Sequence, residues 1–212
     1  MKGLARTWNF GDYKFYTKRG SRLDILCEEL KSEFPNLKMG HKRDIWWHWV
    51  IHFFVCLFTF FINRKYISGY TTTTKNRIDL GDSVNKNLLA GFKRTTYEEY
   101  VVWCALVHER VHLRQFRDKG TPVMVFLYLF PPVFICYGRA VIIEKPAYLA
   151  TLRAAYVYDP TNVCSPFYRN WWVSQFVSAA YGWAWIFKGQ VESWFDTELL
   201  KLEVSNPPIQ LK

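Results

Sequence analysis

Cysteine is sparse and arranged without pairs: Cys27, Cys56, Cys104, Cys136 and Cys164 are odd in number and contain no Cys-x-x-Cys. That spacing argues against a disulfide framework or a zinc ribbon. Cys56, Cys104 and Cys136 fall in apolar runs, which predicts buried, reduced thiols and an intracellular, reducing compartment. The opening Met1 to Arg6 lacks the apolar centre of a signal peptide, in line with that expectation. Acidic residues are also few, 18 against 28 Lys and Arg, for a formal charge of +10. The basic residues are scattered, most densely over Lys14 to Arg22, and no RNA- or DNA-binding motif accompanies them. The charge therefore reads as solubility and weak attraction to acidic surfaces, with no specific nucleic-acid partner. No internal repeat appears, and low complexity is confined to Thr71 to Thr74.

Uninterrupted apolar runs of spanning length are missing too. Ile45 to Ile62 is about eighteen residues, below the roughly twenty a spanning helix needs, and His48, His52 and three Trp dilute it. Pro122 to Tyr137 is broken by Pro131-Pro132. These stretches predict a buried or membrane-leaning helix and then a helical hairpin, which could touch a membrane surface or a protein assembly.

What is abundant is aromatic and apolar: 50% hydrophobic and 19% aromatic residues, ten of them Trp, exclude a disordered chain. At 212 residues the expectation is one domain over 1–212. It divides into an N-terminal strand and helical region (1–65), a central core (66–156) and C-terminal aromatic helices with an extended tail (157–212). The pattern predicts a short strand at Tyr13 to Tyr16 and an amphipathic helix over Ser21 to Phe34. Strands follow at Tyr66 to Thr74 and Arg77 to Leu80, then a loop at Asn85 to Lys93. Further helices are expected from about Glu144 to Tyr156, Ser165 to Trp185 and Gln190 to Leu202.

The chemistry concentrates in a helix predicted from Thr96 to about Asp118. Thr95 and Glu98 form a capping box at its start, and Gly120 with Pro122 stops it. Inside it stands His108-Glu109-Arg110-Val111-His112. Residues i and i+4 share a helix face, so both imidazoles can reach one ion, while Glu109 can accept a proton from water there. His48 and His52 share the same spacing, but no acid lies between them, and they read as partly buried, hydrogen-bonded histidines.

The run His108 to Gln115 resembles the active-site helix of zincin-type metallopeptidases, in particular families with Gln three residues after the second His. Gluzincins of the thermolysin type take a third zinc ligand from a later Glu-x-x-Ala, and Glu144-Lys145-Pro146-Ala147 stands about thirty residues downstream. The metzincin pattern is not met, because Gln115 and Phe116 occupy the required Gly and third-His positions. The resemblance covers about Tyr70 to Ala155. It implies Zn²⁺ held by His108, His112 and Glu144, Glu109 as general base, and a small sheet before the helix whose edge aligns a peptide. A carboxylate at Glu144, in the apolar run Ala140 to Ala147, is costly to bury without a compensating cation. Tyr148, one turn on, is the candidate oxyanion donor.

The expected fold is thus α+β and mainly helical, a minimal zincin-like domain with a small sheet before the active-site helix. The expected function is zinc-dependent hydrolysis of peptide or protein substrates. A non-catalytic structural or binding protein that keeps the fold, and a membrane-bound metallopeptidase, are the alternatives.

Overall fold

A computed structural model describes residues 5–58, 66–129, 140–177 and 187–205. The fold is α+β and mainly helical, with two small sheets. The chain divides into two compact units, Met1–Met124 and Val125–Lys212.

The first unit opens with an antiparallel hairpin, β1 (Ala5–Phe10) and β2 (Tyr13–Lys18). Gly11, at φ +68°, supplies the left-handed residue its two-residue turn requires. Alternation sends Trp8, Phe10, Phe15 and Thr17 inward, onto the Leu23, Leu26 and Leu30 face of α1 (Arg22–Glu33). Ser21 caps that helix by accepting from the Asp24 amide. The hairpin is longer than the predicted strand, because β1 alternates as regularly as β2.

A second sheet has the order β3-β5-β4, with β3 (Lys38–His41) parallel to β5 (Arg77–Leu80), and β4 (Thr72–Thr74) antiparallel to it at the edge. Between β3 and β4 lie α2 (Trp46–Phe58) and the one-turn helix α3 (Tyr66–Gly69). The strand expected from Tyr66 therefore shrinks to Thr72–Thr74. Asn85 to Lys93 also differs from expectation, since α4 (Asp82–Leu89) runs through it, followed by a 3₁₀ turn, Gly91–Lys93. Val84 and Leu88, at i and i+4, bury one face of α4 while Asn85, Lys86 and Asn87 hide that period in the sequence.

The long helix α5 (Thr96–Lys119) matches the expected element at both ends: the Thr95–Glu98 capping box is formed and Gly120 follows its last residue. Val102, Leu106 and Leu113 join the core made by the hairpin, α1 and β5. The other side of α5 is pinned to α1 by ions. Glu33 accepts from Arg110 (2.8 Å) and Arg114 (2.6 and 2.8 Å), and Arg110 also reaches Glu29. The Arg114 guanidinium, with Arg110 beside it, holds the Glu33 carboxyl down at about 2 against the opposing effect of burial. Arg114 is 44% exposed, so solvent screening discounts that shift and the arginine cluster is worth on the order of 1 kcal/mol. Because the folded pKa lies below the unfolded one, this stability is complete above about pH 4.5 and is lost as pH falls through about 2. Glu33→Gln is accordingly expected to lower the melting temperature at pH 7, with the gap closing towards pH 2. A gap that persists at pH 2 would assign the effect to packing.

In the second unit a π-helical turn, Ala140–Glu144, leads into α7 (Lys145–Tyr158), which matches the helix expected there. Pro146 is tolerated because it falls in the first turn, where its missing N–H breaks no bond. The short α8 (Pro160–Val163), α9 (Pro166–Val177) and α10 (Lys188–Ser205) follow. Trp172 and Phe176 of α9 pack on Trp194, and Trp172 also meets Phe195, so these aromatic residues are core. Tyr181, Trp183, Trp185, Cys136, Pro131-Pro132 and the tail from Asn206 lie outside the described residues, as do residues 178–185 of the helix expected from Ser165 to Trp185 and residues 59–62 of the Ile45 to Ile62 run. A further helix, α6 (Thr121–Leu129), begins the Pro122 to Tyr137 stretch. No helix among the described residues is long and apolar enough to cross a membrane.

Candidate metal centre

α5 places the first part of the site. His108 and His112 stand one turn apart, and their Nε2 atoms converge to 3.0 Å, close enough for both nitrogens to share one ion. His112 is buried and His108 half-buried, which leaves the pair reachable at one side. Gln115, three residues on and so on the same face, lies with Oε1 2.9 Å from His112 Nδ1. A carbonyl oxygen only accepts, so Nδ1 carries the proton and the Nε2 lone pair points at His108. Metal-ligating histidines are fixed in this way by a partner on the other ring nitrogen. The donor chemistry and the convergence therefore fit a divalent metal ion.

Glu109 faces the sheet. Thr73 and Ile78 are cross-strand partners and project to one side, where α5 lies. Thr73 donates to Glu109 Oε2 at 2.7 Å, with both residues buried. The edge strand thus orients the carboxylate that the helix supplies. Sequence spacing did not single out Thr73, because a three-residue strand in a run of four threonines offers no period to tell which one faces α5. Gln115 was visible only as part of the family resemblance; its i+3 offset from His112 is the signal that could have assigned its role.

Beneath the sheet lies a buried polar network that includes the one fully buried lysine among the described residues. Lys42 donates from Nζ to the Tyr66 carbonyl at 3.2 Å and sits 3.9 Å from the centre of the Tyr66 ring. Burial drops its ammonium to about 7, although the carboxylates of Glu109 and Asp79 pull the other way. Asp79 is fully buried and accepts from Arg77, while its Oδ2 lies 3.0 Å from His48 Nε2. The other His48 nitrogen meets the Tyr66 hydroxyl at 2.9 Å. Both ring nitrogens of His48 are therefore engaged, as expected of a hydrogen-bonded histidine, and the ring is fully buried where partial burial was expected. Burial pushes the His48 pKa down and that of the Tyr66 phenol up to about 12. A Cβ at Gly40, opposite Asp79, would stand 2.3 Å from Arg77 Nη2, so a side chain there would displace the end of the Arg77 side chain.

Glu144 and Tyr148 belong to the second unit. Glu144 closes the π-helical turn and is 3% exposed. Tyr148 is buried on α7, its ring 4.7 Å from Phe176 and 5.7 Å from Trp172. The ion-pair partners that Arg110 and Arg114 use are Glu29 and Glu33 of α1.

Of the thiols expected to be buried in apolar runs, Cys56 and Cys104 are; Cys136 lies outside the described residues, and Cys164 is exposed. Cys27 is buried too, and burial raises the Cys104 thiol to about 12. Against known proteins, no family model matches the chain, nor does any curated protein or solved structure.

Proposed function

We propose that this protein is a zinc-dependent peptidase in which His108, His112 and Glu144 hold the metal and Glu109 is the general base. The observation that carries the reading is the His108–His112 pair, with Nε2 atoms 3.0 Å apart and the His112 tautomer set by Gln115. Two imidazoles and a carboxylate are a donor set able to hold an ion, and zinc suits those donors well. Glu144 is supported as the third ligand by its burial at the end of a π-helical turn, a backbone irregularity frequent at functional sites.

When bound, a divalent ion in such a site polarises a carbonyl and makes water a stronger acid. The chain's own residues then do the proton work. Thr73 occupies Glu109 Oε2, so Oε1 takes the proton of the attacking water and returns it to the leaving amine. The fixed carboxylate removes a rotational search from that transfer. Phe176 and Trp172 hold the Tyr148 ring in one orientation, and its hydroxyl is the proposed donor to the oxyanion. The outward edge of β4 offers backbone groups to an extended peptide, the proposed substrate. The buried thiols support a reducing, intracellular setting.

Elemental analysis of the purified chain, paired with digestion of a diverse peptide library, tests the proposal. The expected result is about one zinc per chain and cleavage that stops on chelation and returns with zinc. A chain that takes up no metal removes the proposal. A zinc-loaded chain that cleaves nothing replaces it with the structural reading.

A further inference from the structure

We propose that α2 seats this protein on the surface of an anionic lipid bilayer, lying in the plane of the headgroups. This inference does not depend on the metal centre.

Trp46, Trp49, Val50, Phe53 and Leu57 follow one another at steps of three, one, three and four residues, which lays them along one stripe of the helix. All five are exposed, from 44% at Val50 to 77% at Trp46. The opposite face is fastened down by His48, which is fully buried between Asp79 and Tyr66. The stripe is therefore directed outward by a specific polar anchor on the other side. A row of large apolar side chains held in water is unusual for a surface helix and marks a contact site.

Three observations select a bilayer as the occupant. First, the face is uniformly apolar, with no direct polar code. The indole Nε1 of Trp49 is already committed to the Arg43 carbonyl at 3.1 Å. Protein interfaces normally carry about one hydrogen bond per 100–200 Å², whereas lipid requires none. Second, no helix among the described residues is long and apolar enough to cross a membrane, and the described part of α2 carries its exposed apolar residues along one stripe, the form of a helix that lies in the bilayer boundary. Two Trp at one end fit that boundary, where indoles concentrate. Third, the charge is complementary. No Asp, Glu, Lys or Arg interrupts Ile45 to Ile62; Arg43, paired with Asp82, and the acidic Asp44 precede it, and Arg64-Lys65 follow it in the sequence of a chain of net charge +10. Basic residues beside an interfacial helix add attraction to acidic headgroups.

The experiment is sedimentation of the full chain with phosphatidylcholine vesicles, with and without phosphatidylserine, at low and high salt. The wild type is expected to pellet with the phosphatidylserine vesicles at low salt, and to a smaller extent with neutral vesicles or at high salt. Trp46→Ser with Phe53→Ser should lower the partition coefficient at least about tenfold, with circular dichroism unchanged because both sites are on the surface. If that pair unfolds the chain, Val50→Ser with Leu57→Ser asks the same question. Wild type that stays in the supernatant with both vesicles overturns the proposal, as does undiminished binding by a folded double variant. Equal binding to neutral and anionic vesicles overturns its electrostatic part. A dimer of the wild type in sedimentation velocity, dispersed by the double substitution without any vesicle binding, would assign the stripe to a second copy of the chain instead.

Discussion

Glu109→Gln is expected to lower peptide cleavage by at least about 10²-fold, the scale set by loss of a positioned general base, while zinc content stays at the wild-type level. The amide keeps the shape of the carboxylate and can still accept from Thr73, so the helix–strand contact survives. It cannot take a proton from water at neutral pH. The fall should therefore appear in kcat, with KM changing little, because the base acts on the reacting atoms and not on remote parts of a peptide. Steady-state kinetics with one cleaved peptide, alongside metal analysis of the same preparation, measures both. A variant that cleaves as fast as the wild type would show that Glu109 is not the base, whatever the metal content.

His112→Ala is expected to abolish tight zinc binding, and with it all chelator-sensitive cleavage. One of the two converging nitrogens disappears, and the remaining His108 is half-buried with no second imidazole to complete a chelate. The variant should also melt at a lower temperature, since removing a buried ring leaves a cavity and deprives Gln115 Oε1 of its donor. Gln115→Leu separates the two effects. It keeps both imidazoles but no longer fixes the His112 tautomer, and zinc affinity should weaken by about 10- to 100-fold, the usual scale for losing an outer partner of a metal-bound histidine. Competition against a chromophoric chelator reads the affinity directly. Wild-type affinity in His112→Ala would move the metal elsewhere and take the peptidase proposal with it.

The α5 region shows how far local signals reach. Its cap, its stop and the shared face of His108 and His112 are all set within one helical segment, so spacing alone described them, and the structure reproduces each. The same holds for the Ser21 cap and the apolar stripe of α1. Where an element depends on a distant partner, local pattern was a poorer guide. The β3 strand carries only four residues and exists by pairing with β5, some forty positions later. α4 looked like a loop because its two buried residues are surrounded by polar ones, and only the core beneath shows that Val84 and Leu88 form a face.

The amino-acid sequence by itself determined the mainly helical α+β class, the helix α5 with both its ends, and which side chains on it share a face, because those follow from periodicity and capping within a few turns. The tertiary structure alone decided that Thr73 holds Glu109, that Lys42, His48, Asp79 and Tyr66 share one buried network, and that Arg110 and Arg114 spend their charge on α1. Each of those contacts joins residues from 18 to 81 positions apart. Their energy comes from burial and from the low dielectric of the interior, which no short stretch of sequence contains.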